Sequence, residues 1–353
     1  MTTSSTLRIG IDLAKGVFQV HAVRQEPGEP VAFTRRLKRS QMEPLFAKLP
    51  PSLIGIEACG SAHYWARVAQ RYGHEVRLMP PAYVKAYLKR NKSDALDAEA
   101  ICEAVGRPTM RFVPVKDEVG QAILTLHRMR ASFVERRTAV TNQLRAALSE
   151  FGIVAPVGVR GFNDLLELVE TRGEGIAQLP PALLLVLEEL ARQWRGVDAA
   201  VQNLERVILA DLKENNRARK LTKVPSIGPI GASAIEATLP NPHVFGSGRD
   251  FAAWMGLTPG VDKSANTVRK MPITKKGDGY LRRLLVLGAT MRLALIRRGR
   301  AKNVSAWEQR MAAHPKRKLA AVALANKSAR IAWAMLAKNE NYRVPVEAMA
   351  AAA

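Results

Sequence analysis

The chain has 353 residues, 47% of them hydrophobic, and carries 54 Lys+Arg against 31 Asp+Glu, a formal net charge of +23. That length allows two or three domains with their own cores, and the basicity points to nucleic acid, because each Lys or Arg seated on a phosphate releases condensed counterions. Only two cysteines occur, with no CxxC, and the six histidines lack ligand spacing, which argues against a zinc module or a disulfide framework.

In chain order, Leu7–Leu13, Val17–Arg24 and Val31–Lys38 are β-branched or alternating and are separated by Lys15-Gly16 and Pro27-Gly28. They predict a three-stranded meander. A helix over Gln41–Leu49 leads to the strand Leu53–Ala58, and a second helix near Tyr64–Tyr72 leads to the strand Glu75–Met79. Strands interleaved with helices predict an α/β domain, a mixed sheet with helices on its faces. No basic and then apolar leader precedes it, and no apolar run reaches the roughly 18–20 residues of a membrane span, so a cytoplasmic protein without a membrane partner is expected.

From about residue 84 the pattern is helical. Gln121–Leu148 predicts a long helix carrying Arg128, Arg130, Arg136, Arg137 and Arg145, broken by Gly152–Gly161. After Pro180-Pro181, the residues Leu183, Leu187, Leu190, Trp194, Val197, Val201, Leu204 and Ile208 alternate spacings of four and three. That is an a/d seam. It fits a dimer-forming coiled coil and an internal hairpin packed on Gln121–Leu148 equally well.

A third region begins near Leu221. Val224–Ala234 has the look of a helix-hairpin-helix turn, in which backbone N–H groups at Ile227, Gly228 and Gly231 would meet a phosphate; an ordinary helix–helix turn is the plain alternative. Gly256-Leu257-Thr258-Pro259 and Lys275-Lys276-Gly277-Asp278-Gly279-Tyr280-Leu281-Arg282-Arg283 then flank Ser264. A serine in a basic loop, with Lys263, Arg269, Lys275, Lys276 and Arg282 nearby, could bind a phosphate or, once deprotonated, attack it. No His or Asp at a triad-like spacing marks a base. The expected division is 1–115, 116–215 and 216–340, with a tail at 341–353.

Four acids form the sharper constellation. Asp12 and Glu57 each end an apolar strand, and Asp94 and Asp97 lie three apart on a helix, where they share a face. If the two strands are neighbours, both carboxylates emerge at the carboxyl edge of the sheet, where open α/β sheets place their sites. All-oxygen ligands suit Mg²⁺, and two-metal phosphodiester chemistry needs several such carboxylates. The plain alternative makes Asp94 an N-cap and Asp97 a first-turn acid favoured by the helix dipole.

Together, Gly10-Ile11-Asp12-Leu13-Ala14-Lys15, Ile56-Glu57-Ala58-Cys59-Gly60, Lys92-Ser93-Asp94-Ala95-Leu96-Asp97-Ala98 and the Gly256–Arg283 stretch resemble the DEDD-type transposases of bacterial insertion sequences, relatives of the pilin-gene inverting recombinases. The resemblance runs from about residue 7 to 335. It implies a ribonuclease-H/resolvase-like N-terminal domain, a coiled-coil connector and a mainly α-helical C-terminal transposase domain. It further implies that Asp12, Glu57, Asp94 and Asp97 bind Mg²⁺. Ser264 would be the nucleophile, forming a phosphoserine link to DNA in a site shared with another subunit. A homodimer or homotetramer, double-stranded donor and target DNA, and a guide noncoding RNA encoded by the element are implied as well. Ala265 stands where the family usually has Gly, so a differently shaped loop is expected; Ser226 and Ser247 rank behind Ser264. The expected function is cleavage and rejoining of DNA to mobilise an insertion sequence. The alternative is a metal-dependent junction-resolving endonuclease that uses water.

Overall fold

The computed structural model describes residues 7–88, 94–264 and 267–344. The chain divides into two compact units, Met1–Gly120 and Gln121–Ala353. The first holds a mixed sheet built from β1 (Leu7–Asp12), β2 (Val17–Arg24), β3 (Val31–Lys38), β4 (Leu53–Glu57) and β5 (Glu75–Met79), with helices α1 (Met42–Lys48), α2 (Ala62–Arg71), α3 (Pro81–Val84) and α4 (Asp94–Val105). The strand order is β3-β2-β1-β4-β5. The meander pairs antiparallel, whereas β1, β4 and β5 run parallel.

Alternation of side chains assigns the two faces. Ile9, Ile11, Phe18 and Val20 point to one side and pack with Met42, Phe46 and Trp65 from α1 and α2. Each buried side chain of this size contributes roughly 1.5–3 kcal/mol of transfer free energy. Gly10 points to the other side, where α4 lies so close that a Cβ on Gly10 would stand 2.1 Å from the Ala98 carbonyl oxygen and 2.3 Å from the Cys102 nitrogen. Gly55, registered opposite Gly10, meets Val105 on the same face. A glycine pair is therefore what lets this helix lie on the strands. Ala98 and Cys102 lie at Gly10, and Gly106 lies at the Arg8 side chain, so α4 runs antiparallel to β1 and its first turn sits toward Asp12. The outer edge of β5 is covered by a strap in which Val113 N–H donates to the Leu78 carbonyl at 2.7 Å.

The second unit contains most of α5 (Glu118–Ser149), then α6 (Val159–Glu170), α7 (Pro181–Glu214), α8 (Asn216–Leu221), α9 (Pro229–Thr238), α10 (Gly248–Trp254), a hairpin of β6 (Pro259–Ser264) and β7 (Thr267–Ile273), and α11 (Gly279–Arg297), α12 (Ala306–Ala313) and α13 (Arg317–Lys338). The a/d seam of α7 is used inside the chain. Leu187, Val201 and Ile208 are buried. Arg130 and Arg137 of α5 pair with Glu205 and Asp198 of α7 at 2.5 Å each, and the Trp194 indole N–H donates to the Thr141 hydroxyl at 3.0 Å. Pairing sums near constant residue number make α5 and α7 an antiparallel hairpin, the internal alternative for the seam. The arginines of α5 are thereby partly committed: Arg145 donates to the carbonyls of Ala155, Pro156 and Gly158 beyond the helix end.

Ser264 was expected in a basic loop, and the backbone around it forms the β6–β7 hairpin instead. The strand character of these residues is hidden in the sequence by the density of cations. No helix among the described residues is long and apolar enough to cross a membrane.

A buried histidine ties three helices of this unit. His127 of α5 bonds through Nδ1 to the Tyr280 hydroxyl at 3.1 Å and through Nε2 to the Ser233 hydroxyl at 3.0 Å. Burial, with Arg130 adding repulsion, lowers its pKa from 6.5 to about 4. The unfolded chain therefore binds a proton between those values that the folded chain refuses. Stability from this residue is complete above pH 6.5 and declines as the pH falls toward 4, by about 3 kcal/mol. Urea midpoints across that window should fall more steeply with acid for the wild type than for His127→Phe; parallel curves would show that His127 does not carry the dependence.

Candidate active site

Asp12 and Glu57 end β1 and β4, neighbouring parallel strands whose register pairs Ile11 with Ile56. Both therefore stand at the carboxyl edge of the sheet. Asp12 shares a face with Gly10 and Glu57 with Gly55, the face covered by α4. The first turn of α4 brings Asp94 and Asp97 toward the same end. Asp94 begins that helix; its side chain, like those of Lys263, Ser264 and Arg269, lies outside the description, as do Lys92, Ser93 and Ala265 altogether.

Two observations bear on the chemistry. The Oδ1 atom of Asp97 is buried and has no hydrogen-bond partner among the described residues. An unsatisfied buried carboxylate oxygen is costly, and a cation is a partner that would satisfy it. The Cys59 thiol, two residues past Glu57, is pushed up first by burial and then by the negative charges of Glu57 and Asp12. One sulfur thus senses both strand-end acids, which places them in one neighbourhood. The loop continues through Ser61, a non-glycine residue at φ 70°, which turns the chain from Glu57 into α2. Residues held in the left-handed region cost of order 1–3 kcal/mol and concentrate at functional sites.

Among the described residues no three His, Cys, Asp or Glu side chains form a ready metal cage. The donor set of Asp12, Glu57 and Asp97 is all oxygen and fits a hard divalent cation in kind. The strand-end pair and the first turn of α4 come together; no closed shell is formed by the three whose side chains are described.

In the second unit, the motifs around Ser264 make a pedestal. Gly277, at φ +79°, lies so close to Trp254 that a Cβ would stand 1.8 Å from its carbonyl oxygen, and Gly256, at φ +70°, abuts Lys276 in the same way. Lys275 N–H donates to the Gly256 carbonyl at 3.2 Å and Thr274 N–H to that of Thr258 at 3.0 Å. Arg282 donates to the carbonyls of Met255 and Lys276 at 2.8 and 3.2 Å, while Asp278 caps α11 through the Tyr280 and Leu281 N–H groups. The Gly-Leu-Thr-Pro and Lys-Lys-Gly-Asp-Gly motifs are thus one backbone-to-backbone base under the hairpin that ends in Ser264. Arg282 serves that base, while Lys275 and Lys276 are exposed.

In the candidate phosphate turn, the Ile227 side chain is buried, whereas Gly228 is exposed and starts α9 without a side-chain cap, followed by Pro229 and half-buried Gly231. The uncapped N–H groups of the first turn are those a phosphate would use. Ser226 is buried against the Ser328 hydroxyl, and Ser247 caps α10, so both serines have structural tasks.

The chain is thus strongly basic, and its mixed sheet ends two neighbouring parallel strands in the acids Asp12 and Glu57. Residues 218–304 match the family described as Transposase IS116/IS110/IS902 family, and residues 9–153 match the DEDD transposase domain of the IS110 type. The chain is 44% identical over 339 residues to a protein described as a probable family 20 transposase of Pseudomonas aeruginosa, covering 95% of this chain and 98% of that one. It is 36% identical over 325 residues to the transposase for insertion sequence element IS1328 of Yersinia enterocolitica, covering 92% and 95%. With the transposase for element IS1111A of Coxiella burnetii it shares 35% identity over 335 residues, covering 95% and 91%. The chain belongs to the IS110/IS116/IS902 family of transposases. It is a DNA strand-cleaving and strand-transferring enzyme that mobilises an insertion sequence, and its DEDD domain implies a divalent metal ion.

Proposed function

We propose that Asp12, Glu57, Asp94 and Asp97 hold Mg²⁺ and that Ser264 is the nucleophile of the DNA-cleaving step. The observation that carries the metal half is the orphaned Asp97 Oδ1, on the helix turn facing the end of the sheet where Asp12 and Glu57 stand. A divalent ion there would polarise the scissile phosphate and offset the charge that develops on its oxygens. The chain's own part is positional: the strand ends and α4 fix the carboxylates, and Gly256 and Gly277 fix the base of the hairpin that carries the serine. Attack by Ser264 Oγ on phosphorus, with loss of its proton, breaks one phosphorus–oxygen ester bond. The strand leaves as a protonated hydroxyl and a phosphoserine ester remains, which a strand hydroxyl can later displace to rejoin DNA.

The five-stranded sheet with its antiparallel meander and parallel pair supports a ribonuclease-H/resolvase-like reading of residues 1–115. Residues 116–215 then form the helical connector and 216–340 the transposase domain. By family resemblance we assign double-stranded donor and target DNA, a guide RNA, and a homodimer or homotetramer in which the serine of one subunit serves the carboxylates of another. In cells, Asp12→Ala and Ser264→Ala should each reduce excision of the element to background while DNA binding survives. Normal excision by Ser264→Ala would overturn the serine half and favour water as the nucleophile.

A further inference from the structure

The cations of the N-terminal unit differ in what they meet. Six arginines are ion-paired with a glutamate, among them Arg24 with Glu26 and Arg71 with Glu43. Arg36 and Lys38, both exposed, make no ion pair among the described residues, and both lie on β3. That strand is the uncovered edge of the sheet, since the Val113 strap occupies the other.

Register places these cations relative to the acids. Asp12 pairs with Gln19, and Gln19 pairs with Arg36. Directly opposed residues project to the same face, so Glu57, Asp12, Gln19 and Arg36 form one row across four strands, on the face that α4 covers. Lys38, two residues on, shares that face and pairs with Val17 at the carboxyl end of the sheet. Arg36 stands two strands from Asp12, roughly 10 Å at the usual interstrand spacing. One end of the row is anionic and suited to a cation; the other is cationic, unpaired and open to solvent. Arg35, which alternates to the opposite face, stacks its guanidinium on Phe33 at 4.8 Å from the ring centroid and takes no part in the row.

We propose that Arg36 and Lys38 hold the phosphodiester backbone of the substrate DNA strand beside the carboxylates, so that the strand crosses β2 to reach the cleavage position. The inference rests on the reading of Asp12 and Glu57 as part of that position. Gln19, half-buried between them, is placed to donate its amide to the strand as it passes. The plain alternative is that cations on an open edge only deter strand pairing between molecules.

The test uses the full chain with a labelled DNA duplex in EDTA, so that binding is read without cleavage. Arg36→Gln/Lys38→Gln should lower the slope of log K against log salt by about 1.8, two phosphate contacts at about 0.9 each, with an unchanged melting temperature. Arg24→Gln/Lys48→Gln, the same loss of charge at the opposite end of the sheet, should leave the slope as it was. An unaltered slope for the first pair, with or without new aggregation, overturns the proposal, and so does an equal fall for both pairs. Asp12→Asn tests the underlying reading separately. If it still cleaves DNA with metal while the Arg36/Lys38 slope falls, the acids are wrongly assigned and the basic strip stands as a DNA contact.

Discussion

Asp97→Asn is expected to abolish divalent-metal binding and excision while leaving the metal-free protein at least as stable as the wild type. The substitution keeps the size of the side chain and removes a charge from a half-buried position. In the wild type, a metal present at a hundred times its Kd should add about 2.7 kcal/mol of stability. That gain appears as a rise in melting temperature on addition of Mg²⁺ or Mn²⁺. Asp97 carries a buried oxygen with no hydrogen-bond partner among the described residues, so its loss should erase the rise. A variant that still gains the same increment from metal would show that Asp97 Oδ1 is satisfied in some other way.

Gly277→Ala should be the most damaging single methyl in the second unit. The left-handed backbone at φ +79° costs a non-glycine residue about 1–2 kcal/mol, and a Cβ 1.8 Å from the Trp254 carbonyl forces the pedestal apart. Overpacking of that kind adds about 1–3 kcal/mol. The sum, about 2–5 kcal/mol, is a large share of the roughly 5–15 kcal/mol that holds a typical domain. Urea denaturation should show the loss, and excision of the element should fall with it even where folded protein remains. Gly279→Ala, two residues on, meets only the Arg282 guanidinium, 3.4 Å from its Cβ, and should cost far less. Equal stability of Gly277→Ala and wild type would refute the backbone-to-backbone pedestal.

The N-terminal sheet was legible in the sequence because its strands announce themselves twice, by alternation and by turn residues. Val17–Arg24, Val31–Lys38 and Glu75–Met79 are strands over those very residues, and Lys15-Gly16 marks the first turn. The strand-end positions of Asp12 and Glu57 follow from the same signal, since an acid closing an apolar run is visible without coordinates. What the sequence could not show was pairing. That Gln19 joins Asp12 to Arg36 is a property of register across three strands, and no spacing along the chain encodes it. The β6–β7 hairpin was hidden for another reason: the cations in its strands read as loop. The a/d seam of α7 was visible as a seam, but its partner was not. A heptad states that a helix has an apolar stripe; that Leu144 and Leu148 of α5 pack on it, with Arg130 and Arg137 paired across the contact, is seen only in three dimensions.

The family membership and the divalent metal leave the division of labour between carboxylates and serine as the central claim. It is tested most directly by incubating 5′- and 3′-labelled DNA spanning the element junction with the full-length protein and Mg²⁺, then resolving the products on a denaturing gel. The account predicts labelled DNA that migrates with the protein, absent for Ser264→Ala and for Asp12→Asn and released by protease digestion. Cleaved strands from the wild type with no protein-linked DNA at any time would contradict it and assign the attack to water.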